Sequence, residues 1–136
     1  MDSLIKTVAV VRVEDAAAAG SSTLTTDTID LASYRADGVL FVAGIAALTA
    51  GTATLQAQHS DDDSSYTAVG SGAAVDTAQE DAAVDVLANG KRYVQATLTR
   101  SDVSIACNGI YAIVYRCGNL PVTQPATTNV ESVVNP

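Results

Sequence analysis

The sequence is poor in the residues on which metal sites and catalytic centres usually depend. Its 136 residues include one histidine, one methionine, one phenylalanine, two cysteines and no tryptophan. A single histidine, His59, cannot form a set of imidazole ligands, and two cysteines fall short of the four ligands of structural zinc. The chain also has no G-x-S-x-G elbow and no phosphate-binding loop. We therefore expect no catalytic residue, no metal and no cofactor.

Basic residues are also scarce. Seven lysines and arginines stand against fifteen aspartates and glutamates, which gives a net charge of −8. The basic residues are spread along the chain, and only Lys91 and Arg92 are adjacent. Because phosphate backbones and anionic lipids are bound by clusters of basic side chains, we expect neither nucleic acid nor membrane as a partner.

Long apolar runs are absent as well. Residues 38–60 carry no acidic or basic side chain apart from a neutral His59, but the strongly apolar part, VLFVAGIAAL, has ten residues. A membrane-spanning helix needs about 20. The first residues, MDSLIKTVAVVRVED, carry charges through their apolar stretch, unlike a signal peptide. The sequence therefore predicts a protein that is assembled in the cytoplasm.

Cys107 and Cys117 lie ten residues apart in one predicted strand. An extended segment of that length spans about 33 Å, which is beyond the reach of a disulfide. We expect free thiols, buried or half-buried, in keeping with the usual burial of cysteine. On residue types alone, a nucleophilic pair of Cys107 with His59 is the alternative.

What the sequence does contain is Ala, Val and Thr in patterns of period two. Such alternation with β-branched residues predicts strands. The predicted strands cover residues 5–13, 23–31, 38–48, 52–60, 65–69, 82–87, 92–100 and 103–116. About eight short strands separated by turns favour an all-β fold, an antiparallel β-sandwich or jelly roll. Because small side chains bury little area each, association into a homo-oligomer is an early expectation.

Glycine and asparagine mark the expected irregularities of these strands. Asn89 and Gly90 predict a turn, and Gly44 a bend or bulge inside its strand. Asn108 and Gly109 predict a bulge in the last strand.

The last two predicted strands are separated by a turn at residues 101–102. Pairing them around this turn would set Leu98 opposite Ile105 and Ala96 opposite Cys107, with apolar partners on one face.

The densest cluster of ionisable groups is QAQHSDDDSSYTAVG, residues 56–70, with Asp61, Asp62 and Asp63 side by side. The spacing fails the calcium-loop pattern, because the sixth residue from Asp61 is Tyr66 and not glycine. Consecutive residues also cannot place two carboxylates on opposite sides of a substrate. We interpret the cluster as the solvated tip of a hairpin, with a weak cation site as the alternative.

After Cys117 the pattern changes. Residues 118–136 hold all three prolines and little periodicity, so we divide the chain into a β-sandwich domain, 1–117, and an extended C-terminal arm, 118–136. The arm nevertheless carries apolar residues that are unusual in a solvated tail. We predict that it becomes ordered on a neighbouring subunit, or on a capsid, through Leu120, Pro121, Val122, Val130, Val133 and Val134.

Several motifs occur in an order that resembles small virion proteins of tailed bacteriophages. They are SDDDSSYTAV (60–69), NGKRYVQATLT (89–99), AIVYR (112–116) and NLPV (119–122). In head decoration, or cement, proteins of that group the pattern is S-D-D-G, a gap, then Tyr or Trp, and later G-x-[KR]-R-Y-[VI]-[RQ]. Here Asp63 replaces the glycine, and the resemblance covers roughly residues 36–122.

The resemblance implies a jelly-roll structural protein of the capsid exterior, without enzymatic activity. Its partners would be the major capsid protein and further copies of itself, as a dimer or trimer. The same tip and R-Y-V motifs also resemble discoidin-like carbohydrate-binding jelly rolls. Those usually carry aromatic residues on their binding loops, and this chain has few.

Overall fold

The computed structural model describes residues 3–77, 80–87 and 90–129, which form two antiparallel sheets packed face to face. The strands are β1 (Ala9–Glu14), β2 (Leu24–Thr25), β3 (Ile29–Asp30), β4 (Gly38–Ala46), β5 (Ala53–Ser60), β6 (Thr67–Val75), β7 (Asp81–Leu87), β8 (Tyr93–Arg100) and β9 (Ala106–Tyr115). A single turn of 3-10 helix, Leu4–Lys6, precedes β1, and a short helix α1, Leu31–Tyr34, precedes β4. The predicted all-β sandwich is confirmed. Among the described residues, none of the helices is long and apolar enough to cross a membrane.

The strand order identifies the sandwich as a jelly roll. One sheet has the order β1-β9-β4-β7, and the other β2-β8-β5-β6, with β3 also pairing β8. If β2 and β3 count as one interrupted strand, the ladders are nested: β5 pairs β6, β4 pairs β7, β2 and β3 pair β8, and β1 pairs β9. A chain folded as a double ribbon and rolled up in this way gives the two Greek keys of a jelly roll.

The core lies between the sheets and consists mainly of small and branched side chains. Alternation along β5 is clean, since Ala53, Leu55 and Ala57 are fully buried. Phe41 is the one large aromatic ring in the described core. The largest fully buried side chains are those of Phe41, Leu55, Leu98, Ile105, Ile110, Val13, Val39, Val75, Val94, Val114 and Cys107.

The predicted pairing of the last two strands is wrong. β8 pairs with β5 in one sheet, and β9 pairs with β4 and β1 in the other. Leu98 lies opposite Leu55, and Cys107 lies opposite Ile45. Residues 101–105 therefore connect one sheet to the other. Leu98 and Ile105 are both fully buried, although they are not opposite each other in one sheet.

Three other predicted strands are corrected in detail. The strand predicted over 23–31 is broken into β2 and β3. Its last residue, Leu31, begins α1, because the Asp30 carboxylate caps the helix by accepting from the Ala32 amide at 3.1 Å. The strand predicted over 65–69 continues as β6 to Val75. The first predicted strand begins only at Ala9, after the 3-10 turn.

β6 remains one strand across its glycines because it contains a bulge. Ala73 pairs with Leu55 and Val69 with Ala57, so residues 70–72 stand opposite Gln56 alone. Gly70 and Gly72 have φ of +70° and +81°. Left-handed values of this kind are open to glycine at low cost.

The bulge predicted at Asn108 and Gly109 is confirmed. Ala43 pairs with Ile110 and Ile45 with Cys107. Asn108 and Gly109 therefore both stand opposite Gly44. Gly109 has a φ of +112°. Of the predicted turn at 89–90, Asn89 lies outside the described residues, and Gly90 has a φ of +86°.

Both cysteines are free, as expected, with Cys107 buried and Cys117 half-buried. Burial raises the pKa of each thiol, which keeps both protonated and weakly nucleophilic at neutral pH.

Arg100, at the end of β8, is a charged residue inside the described core, with 5% of its surface exposed. Its guanidinium donates to the carbonyl of Ser22 at 2.8 Å, of Ala18 at 2.8 Å and of Ile105 at 3.0 Å. It also donates to the Ser22 hydroxyl at 2.8 Å. Arg100 thus binds the long loop between β1 and β2 to the body of the sandwich.

The ring of Tyr115 packs over Gly38, the residue opposite it on β4. Its ring lies where a Cβ at Gly38 would be, and its hydroxyl donates to the Asp85 carboxylate on β7. Burial of the ring, followed by the hydrogen bond to Asp85, raises the pKa of Tyr115 to about 12.

This shift predicts a loss of stability at alkaline pH. A phenol whose folded pKa exceeds its unfolded value, about 10, contributes stability that is complete below pH 10. That contribution is lost as the pH rises from about 10 through about 12. We expect the unfolding free energy of the wild-type protein to fall relative to that of Tyr115→Phe across this window, in urea titrations at several pH values. Tyr111→Phe, at an exposed tyrosine of the same strand, is the matched control. A constant difference between wild type and Tyr115→Phe would contradict the assignment.

Candidate functional site

The acidic cluster lies where the sequence places it, in the loop 61–66 between β5 and β6. Its carboxylates have separate partners. Asp61 forms an ion pair with Lys91 at 2.6 Å, and Asp63 accepts a hydrogen bond from the Tyr66 hydroxyl.

Asp62 organises the turn itself. One carboxylate oxygen accepts from the amides of Ser65 at 2.9 Å and Ser64 at 3.0 Å, and from the Ser60 hydroxyl at 2.8 Å. These hydrogen bonds, led by the Ser65 amide, lower the pKa of Asp62. The pattern is an Asx turn, in which the carboxylate replaces backbone partners.

The three carboxylates therefore serve the loop, and they do not converge on one point. His59 is a half-buried residue of β5 that pairs with Val94 and Thr67 in the ladders. Across residues 3–77, 80–87 and 90–129, groups of three or more metal-ligating side chains are absent. The hairpin interpretation of residues 56–70 is confirmed.

The described part of the C-terminal arm, residues 118–129, runs along the outer edge of β1; we call it the C-terminal strap. It passes a cis peptide bond between Leu120 and Pro121 and then follows the N-terminal segment. The Val122 amide donates to the Lys6 carbonyl at 2.9 Å, and the Val122 side chain packs against the core.

Gln124 is the main contact between the strap and the N-terminal segment, including the first residues of β1. Its side-chain oxygen accepts from the Val10 amide at 2.9 Å, while its nitrogen donates to the carbonyls of Val8 at 2.6 Å and Ile5 at 2.9 Å. The Thr128 hydroxyl donates to the Val10 carbonyl at 3.0 Å. Side chains of the strap thus pair with the backbone amide and carbonyl groups of this edge, as the backbone of another strand would.

This arrangement corrects one expectation. The arm is predicted to become ordered on a neighbouring subunit or on a capsid, but residues 118–129 bind the chain's own N-terminal strand because that edge offers unpaired backbone groups. Of the predicted contact residues, Leu120 is 57% exposed, Pro121 is exposed and Val122 faces the chain's own core. Val130, Val133 and Val134 lie outside the described residues, so a role for them stays a prediction.

A second feature is a cavity of about 560 Å³. We call it the basic pocket, because it is lined by four of the seven basic residues of the chain. The lining consists of Leu31, Ala32, Arg35, Ala36, Asp37, Leu87, Gly90, Lys91, Arg92 and Arg116.

Two of the four basic residues are neutralised within the chain. Arg92 holds Asp30 with two hydrogen bonds of 2.9 Å, which lower the pKa of that carboxyl, and Lys91 pairs with Asp61. Arg35 and Arg116 have no carboxylate within 4.0 Å in the described part of the chain.

Sequence reasoning did not find this pocket, because its basic residues stand at positions 35, 91, 92 and 116. The ends of α1, β7 and β9 meet only in the folded topology. The adjacent pair Lys91 and Arg92 was the one available signal.

Neither a protein-family model nor a curated protein sequence matches the chain. Among solved structures, the chain is similar to PBSX exported protein XepA, with a TM-score of 0.62 and 16% sequence identity. The similarity covers 99% of this chain and 46% of that one, so the chain spans about half of the length of XepA. At this identity the likeness shows that the two share a fold.

Proposed function

We propose that this chain is a structural virion protein that decorates and stabilises the outer surface of a tailed-bacteriophage capsid. The observation that carries the proposal is the similarity of the whole chain to XepA, a phage-related protein. It supports a phage-associated protein, and the resemblance of the motifs at 60–69 and 89–99 to head decoration proteins supports the finer role. The partners would be the major capsid protein and further copies of the chain.

The described structure suits such a role. The acidic loop of the jelly roll is held by the hydrogen bonds of Asp62 within the loop and by the ion pair of Asp61 with Lys91. A shell protein also needs a surface that does not adsorb nucleic acid, and a net charge of −8 provides it. Contacts that are weak for one copy become strong when the symmetry of a capsid repeats them.

Cosedimentation with expanded capsids that lack the protein tests this function. We expect saturable binding to the capsids and no strong hit on a glycan array. One strong, saturable glycan together with no capsid binding would contradict the proposal and favour a carbohydrate-binding module.

A pair of variants refines the test at the predicted contact. Leu120→Asp should weaken capsid binding, because it places a charge on an exposed apolar residue of the strap. Val103→Asp, at a residue that is 70% exposed in the connection between β8 and β9, is the matched control. If Leu120→Asp binds capsids as tightly as Val103→Asp does, Leu120 is not part of the contact surface.

A further inference from the structure

We propose that the basic pocket binds a carboxylate of an acidic peptide segment from a partner protein, with Arg35 and Arg116 as its direct ligands. This site goes beyond the decoration role and does not depend on it.

The first argument is charge. The chain carries eight more acidic than basic residues, yet four of its seven basic side chains line one cavity. Asp37 is the one acidic residue of the described lining. Because Lys91 and Arg92 are already paired, the positive potential that is left comes from Arg35 and Arg116. A guanidinium group binds a carboxylate through two parallel hydrogen bonds, and two such groups line this one cavity.

The second argument is the backbone. Arg35 and Arg116 have φ of +48° and +55°. These values lie in the left-handed region, where residues other than glycine are uncommon. Arg35 ends α1, at a position where glycine is the usual residue. Glycine would fit both positions with less strain. That both carry arginine, and that both arginines line the same cavity, indicates that the side chains serve the pocket.

The third argument is the positioning of the two residues. The amide of Gly118, two residues after Arg116, donates to the Arg35 carbonyl at 2.8 Å. An Arg35 guanidinium nitrogen lies 3.4 Å from the side-chain oxygen of Asn119. The start of the strap thus holds the end of α1, with Arg35, beside the end of β9, which Arg116 follows, so both arginines line the same cavity.

The chemistry of the walls favours a peptide over a free anion. Leu31, Ala32, Ala36 and Leu87 line the pocket beside the arginines, and Leu87 is 50% exposed. A glutamate or aspartate followed by an aliphatic residue would pair with the arginines and cover Leu87. Inorganic phosphate would satisfy the charge and leave the apolar wall in water.

Binding of a fluorescein-labelled peptide of alternating glutamate and leucine tests the proposal, with fluorescence anisotropy as the readout. We expect saturable binding by the full chain and at least about tenfold weaker binding by Arg35→Gly/Arg116→Gly, the effect of losing charged hydrogen bonds. Glycine is chosen because it accepts the left-handed backbone, so the double variant should melt at an unchanged or higher temperature. Arg12→Gln, at an exposed arginine of β1, should bind like the wild type.

Three results would overturn the assignment. The first is equal binding of a peptide in which glutamine replaces glutamate. The second is unchanged affinity of the folded double glycine variant. The third is inorganic phosphate displacing the peptide at a lower concentration than the unlabelled peptide does, because it would identify a free-anion site.

Discussion

Replacing Arg100 with methionine is expected to lower the free energy of unfolding by about 3 kcal/mol. The guanidinium is the donor to three backbone carbonyls, two of them in the loop between β1 and β2. Methionine fills most of the space but donates nothing, so the carbonyls of Ser22 and Ala18 lose this donor inside the protein. The Ile105 carbonyl keeps the Gly20 amide as a donor at 3.1 Å. Each unsatisfied buried group costs about 1 to 3 kcal/mol, and the loop can recover part of this by moving toward water. Urea denaturation of both proteins, with comparison of the midpoints and slopes, measures the loss.

Two further substitutions separate this role from a general effect of charge. Arg12→Met removes an exposed arginine whose ion pair with Asp15 is on the surface, and it should cost less than about 1 kcal/mol. Arg100→Lys keeps the charge but loses the planar fork, so it should recover only part of the stability. Equal stability of Arg100→Met and wild type would show that the loop does not depend on this side chain.

Deleting residues 119–136 is expected to leave the jelly roll folded but to lower its unfolding free energy by about 2 to 4 kcal/mol. The deletion removes the Val122 side chain from the core and the hydrogen bonds of Gln124 and Thr128 to Val8 and Val10. The far-ultraviolet circular dichroism spectrum should remain that of a β protein, since the strap contributes no ladder of its own. Amide hydrogen exchange at Val10 should accelerate, because its acceptor is Gln124.

A single substitution isolates the largest contact. Gln124→Ala should reproduce the faster exchange at Val10, whereas Thr123→Ala, at the exposed neighbouring residue, should not. If the truncated protein fails to fold, the strap belongs to the folding core. If Val10 exchanges at the wild-type rate in Gln124→Ala, the strap does not protect the edge of β1.

The sequence was sufficient to place most strands and to assign the fold class. Alternation shows which side chains share a face, and Ala53, Leu55 and Ala57 do face the core. Alternation does not show which strand lies alongside, because the same apolar face fits any partner. Leu98 and Ile105 look like a hairpin pair for this reason, although the chain between them crosses from one sheet to the other.

The sites were harder to predict than the fold. The acidic loop was recognisable because its residues are consecutive and the hydrogen bonds of Asp62 and Asp63 are local. The strap was not, since the partners of Gln124 lie more than a hundred positions earlier in the chain. Nothing in the sequence marks Arg35 and Arg116 as residues with a left-handed backbone. Such positions are normally predicted from a glycine or an asparagine.

The bulge in β6 has a consequence for how copies of the chain can meet. In the proposed setting many copies stand side by side, and a straight unpaired strand would let neighbouring sheets fuse into a continuous ribbon. Residues 70–72 interrupt the regular spacing of this edge strand, and the Gln56 side chain of β5 holds the bulge by donating to the carbonyls of Val69 at 2.7 Å and Gly70 at 3.1 Å. A second β6 therefore finds no regular ladder to extend. Neighbouring copies along this edge would therefore meet through side chains. The number of binding sites on the capsid, and not the addition of strands to a shared sheet, would then set how many copies assemble.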